Sequence, residues 1–340
     1  MKTLLHWSLR VFGVLLVLFT GLFIFMKITA QPAQQPVMSI DPGKPDPSFQ
    51  RDEVNLKIAF AKYNAGDWSV YIMNADGTEA KMLADCLQIE CYPSWSPDGT
   101  KIAFQRTEDG ASIYVISSDG SNLQRISQSN PSSDVRPSWS PDGTEILYNR
   151  VTNLNGKPPP ITDTMLMNAD GSDAHVILPA NGDFNVEPRF SPDGKKIAFM
   201  SYQGHTYFQL YTMNADGTDL TQITSDPSNH GDPVWSPDGT RIIFGSDKEG
   251  GGKLNLFTIN PDGSNEQQIT HFLPPYEAGD ASYSPDGKYI AFEVDVGGDK
   301  QSNPNVPAQV WIVRSEGSGS PWSTGAACAS VGCAPRWSPT

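Results

Sequence analysis

Positive charge is scarce in this sequence. It has 24 Lys and Arg against 38 Asp and Glu, a formal net charge of -14 over 340 residues. Binding to phosphate backbones or anionic lipid needs a basic face, so nucleic acid is excluded as a partner and so is docking on acidic lipid. Charged residues of both signs make up only 18%, while Gly (30) and Pro (28) abound, which suits a turn-rich all-β protein better than a helical one. Signatures of catalysis are missing: there is no Gly-x-Ser-x-Gly elbow, no His-Glu-x-x-His and no phosphate loop. Histidine is rare, and His205, His230 and His271 fall in loop regions of different segments. No cofactor or metal is expected.

The N-terminus is the strongest local signal. Lys2 and Arg10 precede an uncharged run, Val11 to Met26, and Lys27 follows it. Lys27 can snorkel and Ile28 to Ala30 extend the stretch, so residues 1–30 are expected to form a signal anchor and transmembrane helix, N-terminus inside. The alternative is a signal peptide cleaved after Ala30, giving a secreted or periplasmic protein. Either way the rest of the chain lies outside the cytoplasm. Residues 31–54, rich in Pro, Gln and Ser, read as an extended linker.

From Asn55 onward the chain repeats itself. An aromatic residue followed by Ser-Pro-Asp-Gly begins at Trp95, Trp139, Phe190, Trp235 and Tyr283, and a sixth copy stops at Trp337-Ser338-Pro339-Thr340. The serines are spaced by 44, 51, 45, 48 and 54 residues. Asn-Ala-Asp-Gly or a variant lies between copies, at Asn74–Gly77, Ser118–Gly120, Asn168–Gly171, Asn214–Gly217 and Asn260–Gly263, with a degraded copy at Arg314–Gly317. Pro presets φ, Asp bonds back to the backbone and Gly accepts positive φ, so each phrase is a hairpin turn. It is not half of a calcium loop. Aligned on Asp76 the first and twelfth ligand positions would be Ile72 and Leu83, and on Asp170 they would be Leu166 and Ile177, all apolar.

Four antiparallel strands in roughly 45 residues make one propeller blade. The second strand of the unit occurs six times, for example Ile58-Ala59-Phe60 and Ile290-Ala291-Phe292. The first copy has no Ser-Pro-Asp-Gly before it, and the last Trp-Ser-Pro has no such triplet after it. An all-β, six-bladed β-propeller over residues 55–340, closed by both chain ends, is therefore expected after the transmembrane helix. Closure would remove two exposed sheet edges. The recurring aromatic fills the gap between blades.

The repeat resembles the TolB-type propeller, a WD-like repeat also seen in relatives of prolyl oligopeptidase, over Asn55 to Thr340. TolB itself carries an α/β domain before its propeller, where this sequence has a short linker. The resemblance implies the fold; the hydrolase domain of the peptidase relatives is not expected here.

Cys86 and Cys91 stand just before Trp95, and Cys328 and Cys333 just before Trp337, in equivalent loops of neighbouring blades. Outside the cytoplasm they are expected to pair locally as Cys86–Cys91 and Cys328–Cys333, each ring contributing about 2 kcal/mol. The alternative is one four-Cys zinc site bridging the two loops.

Topology points to one functional surface. The innermost strand of each blade starts at the channel mouth, where the residue before the Pro position is Tyr92, Arg136, Glu187, Asp232, Asp280 or Ala334. Two residues earlier stand Glu90, Asp134, Asn185 and His230. An acidic funnel with an exposed rim is expected, admitting a peptide end, a basic side chain or a cation. Long connections near 152–160 and 295–307 rise on the same face. Together these features point to a monomeric, non-enzymatic module binding a protein or peptide partner, with a carbohydrate-active or hydrolytic propeller as the alternative. His230 with the rim carboxylates would be the metal site of that alternative.

Overall fold

A computed structural model describes residues 56–339, apart from 65, 129–131, 153–160, 182, 250–251, 297–307, 319 and 329–332. The expected transmembrane helix and linker, and most of the two long connections, lie outside the described residues. Among the described residues no helix is long and apolar enough to cross a membrane.

The strands form six four-stranded antiparallel sheets. Blade II runs from the inside outward through Ser94–Trp95, Lys101–Thr107, Ala111–Ser117 and Gln124–Arg125. Blades III to VI repeat the order, with inner strands Ser133–Trp139, Asn185–Phe190, His230–Trp235 and Tyr276–Tyr283. Blade I contains Lys57–Asn64, Asp67–Asn74 and Lys81–Leu87, with Arg336–Trp337 on its inner edge. There Ile58 pairs with Trp337 and Ala59 with Arg336. Ser338 Oγ accepts the Lys57 amide at 2.9 Å, and the Ser338 amide donates to the Lys57 carbonyl at 2.7 Å.

The second strand of every blade is the hydrophobic centre. Phe60, Phe104, Tyr148, Phe199, Phe244 and Phe292 are all fully buried, because a propeller sheet is covered on both faces. The recurring aromatics pack between blades as expected, and two also donate across the gap: Trp95 Nε1 to the Arg336 carbonyl at 3.1 Å and Trp235 Nε1 to the Arg189 carbonyl at 3.2 Å.

The Ser-Pro-Asp-Gly turns share one hydrogen-bond scheme. In blade III, Ser140 Oγ donates to Asp142 Oδ1 at 2.6 Å and accepts the Glu145 amide at 2.9 Å, while Asp142 accepts the Thr144 amide at 3.0 Å. These bonds, the one from Ser140 first, hold the Asp142 carboxyl below its ordinary value. The Asn-Ala-Asp-Gly phrases are turns too: Asp76 Oδ1 accepts the amide and hydroxyl of Thr78.

Both cysteine pairs are local disulfides, with Cα–Cα distances of 5.6 and 5.5 Å. All four sulfurs are thereby used, which removes the thiolates that a four-Cys zinc site would need.

Candidate functional site

Six left-handed residues define the channel end of the inner strands. Tyr92, Arg136, Glu187, Asp232, Asp280 and Ala334 have φ between 39° and 60°. Five of the six precede Pro, whose ring disfavours helical backbone at that position, so the conformation is unusual as well as repeated. In blades III to VI the ladder skips here, between Val135 and Ser138, Val186 and Arg189, Gly231 and Val234, and Gly279 and Ser282. This is a β-bulge, which turns the strand and re-aims side chains.

Neighbouring blades hold the bulges in place. Gln105, just after Ile102-Ala103-Phe104, accepts the Arg136 amide of blade III through Oε1 at 2.7 Å. Asn149 of blade III accepts the Glu187 amide of blade IV at 3.0 Å and donates to the Asn185 carbonyl at 3.0 Å. Glu293 of blade VI accepts the amide of Cys333, one residue before Ala334, at 2.6 Å. Sequence reasoning missed this polar position. The signal was there, since a polar residue directly after a buried apolar triplet needs a partner.

The bulge residues do not form an exposed rim. Tyr92, Arg136, Glu187 and Asp280 are 2–6% exposed, and only Asp232 is half-buried. The expectation of an exposed rim is corrected because the bulge folds these side chains inward. Arg136 is ion-paired with Glu187, lies with its guanidinium carbon 4.3 Å from the Tyr92 ring centre and donates to the Tyr92 hydroxyl at 3.2 Å. Burial pushes the Tyr92 phenol well above its ordinary value, and the Arg136 charge pulls the other way.

The channel is also not acidic. Two steps further along the inner strands stand Ser94, Ser138, Arg189, Val234, Ser282 and Arg336. Arg189 and Arg336, unnoticed in the sequence, join Arg136 to balance Glu187, Asp232 and Asp280, three charges of each sign. Burial, then repulsion from Arg336 and Arg136, lowers Arg189 to about 9, with Asp232 and Asp280 opposing; it remains a cation at neutral pH.

The set two residues before the bulge position is spent on structure. Asp134 takes a two-pronged salt bridge from Arg150, at 2.8 and 3.0 Å. Asn185 accepts from Ser201 at 2.6 Å. His230 is fully buried, with Nε2 3.1 Å from Asp226 and its ring edge-on to Phe244. Lys248 bridges Asp226 at 3.1 Å and Glu266 at 2.8 Å. His230 therefore belongs to a separate network, and the placement of His230 with the channel ligands is corrected. Among the described residues no group of three His, Cys, Asp or Glu side chains could hold a metal.

The family model described as the TolB beta propeller domain matches residues 24–183 and 169–301. The chain belongs to the TolB β-propeller family. It is 30% identical to the Protein TolB homolog of Chlorobium luteolum, over 63% of this chain and 47% of that one. It is 30% identical to the Tol-Pal system protein TolB of Francisella tularensis, over 66% of this chain and 50% of that one. The chain thus spans about half the length of these curated relatives. The crystal structure of TolB from Acinetobacter baumannii shares the fold with a TM-score of 0.68 at 19% identity, covering 85% of this chain and 68% of that one.

Proposed function

We propose that this TolB-family propeller is a binding module outside the cytoplasm, tethered by residues 1–30 through the linker 31–54, with the propeller over 55–340. Its partner is a protein or peptide that engages the bulge end of the channel. The observation that carries this reading is the set of six left-handed residues at one end of the inner strands. Strained backbone held at one equivalent position in every blade, with large polar side chains on five of the six, is a feature of working surfaces. The name Tol-Pal system protein carried by the Francisella relative supports a protein partner. No catalytic constellation among the described residues favours the enzymatic alternative.

The test is capture from membranes with the full chain in detergent. Asp232→Lys, at the half-buried bulge, should weaken capture at least several-fold and more so at low salt, because the screening length is about 8 Å at physiological ionic strength. Lys101→Glu, exposed beside the opposite turns, should leave capture unchanged. Loss with Lys101→Glu alone would place the partner on the other face.

We further assign the shared sheet of blade I as the clasp that closes the ring. Deleting residues 55–62 should then expose a sheet edge and cause aggregation. A monomeric truncation with unchanged melting temperature would refute the clasp.

A further inference from the structure

We propose that Arg189 and Arg336 form a carboxylate-binding site inside the central channel. This deepens the reading of the channel as the binding surface, and it can fail independently of that reading. Blades I and IV stand three places apart in a ring of six, so the two residues come from inner strands on opposite sides of the channel. The other four blades place Ser94, Ser138, Val234 and Ser282 at the same position, all uncharged and shorter than arginine.

Neither guanidinium has a carboxylate partner among the described residues. Arg189 Nη1 donates to the Pro188 carbonyl at 3.3 Å. Arg336 Nη1 donates to the Pro335 carbonyl at 2.8 Å and the Asp280 carbonyl at 3.3 Å. A guanidinium offers five N–H donors, so most of each fork meets no protein acceptor. Arg136, by contrast, is neutralised by Glu187.

Crowding adds to this. Repulsion from Arg336 and Arg136, on top of burial, depresses Arg189. An anion between two such cations relieves their repulsion and fills both forks with charge-assisted hydrogen bonds. Carboxylate fits better than phosphate. Asp232 and Asp280 act on the same space, and they penalise a second negative charge. The carboxylate can come from a free small acid or from an acidic side chain of a bound polypeptide.

Titration calorimetry on the full chain in detergent, in low-salt buffer without chloride, tests this. The probes are propionate, a capped peptide with one Asp, and inorganic phosphate. Saturable binding of propionate or the peptide is expected, at least ten-fold weaker in the Arg189→Gln, Arg336→Gln double variant. Binding of propionate alone identifies a small acid as the source, and binding of the peptide identifies a polypeptide carboxylate; both support the site. No saturable carboxylate signal up to about 10 mM overturns it, as does phosphate binding tighter than either carboxylate. If the double variant fails to fold, Arg189→Lys decides. It keeps the charge and loses the planar fork, so unchanged affinity refutes the site. Partner capture that still depends on Asp232 while carboxylates do not bind sinks this inference alone.

Discussion

Positive φ recurs at equivalent places from blade to blade, and two of these places use opposite residue types. At the outer turn the residue is Gly, as at Gly171 with φ 88°. A Cβ there would collide with the Ile126 carbonyl oxygen of the preceding blade. At the inner bulge the residue is Arg, Glu, Asp, Tyr or Ala. The difference is space. At the turn the neighbouring backbone closes over the residue, and at the bulge the side chain points into the channel. Strain at the turn is avoided by omitting the side chain. At the bulge strain is tolerated, and hydrogen bonds to the preceding blade hold the conformation. The turn is packing machinery, whereas the bulge displays chemistry.

The sharpest way to break this contrast is Arg136→Ala. It leaves the buried Glu187 carboxylate without its guanidinium and should cost about 4 kcal/mol, read by chemical denaturation. Arg136→Met with Glu187→Leu should recover most of that stability, because the pair costs much of what it returns in desolvation. A double variant as unstable as the single one would mean the bulge residues are structural in themselves. Next in size is Gly171→Ala. Left-handed strain and the clash with the Ile126 carbonyl should together cost about 3 kcal/mol by the same measurement. Gln105→Ala should cost about 2 kcal/mol, since it orphans the buried Arg136 amide. If Gln105→Ala is neutral, the bulge holds itself without its neighbour.

The smallest effect concerns acid. The hydrogen bond to His230 is the largest cause holding the Asp226 carboxyl well below the usual range; burial opposes it, and the His230 charge and Lys248 add to it. A carboxyl depressed in the folded state contributes stability that is complete above its unfolded value of about 4 and is lost as pH falls below that value. Asp226→Asn should therefore differ from wild type by under about 1 kcal/mol at pH 7, since the group is partly exposed. That difference should shrink towards pH 2. A difference independent of pH would show that Asp226 acts by shape and not by charge.

The repeated inner-strand position was legible in the sequence. The residue before the Pro position in each repeat, Tyr92 to Ala334, is the one with left-handed backbone in all six blades, because the phrase fixes its register. Its exposure was not legible. A bulge reverses where a strand residue points, and Gln105 and Asn149, far off in sequence, stabilise that reversal. Arg189 and Arg336 were passed over because each repeat was read from the Pro position backward, whereas they stand two residues beyond the bulge position.

The sequence by itself determined the number of strands per repeat, the turns and the local disulfides. All of these depend on residues close together in the chain, where Pro, Asp and Gly impose their own geometry. The sum of charge in the channel, and the separation of His230 from it, were decided only when six blades converged. Those properties depend on which side chains from distant repeats share one desolvated space, and spacing along a single chain does not carry that information.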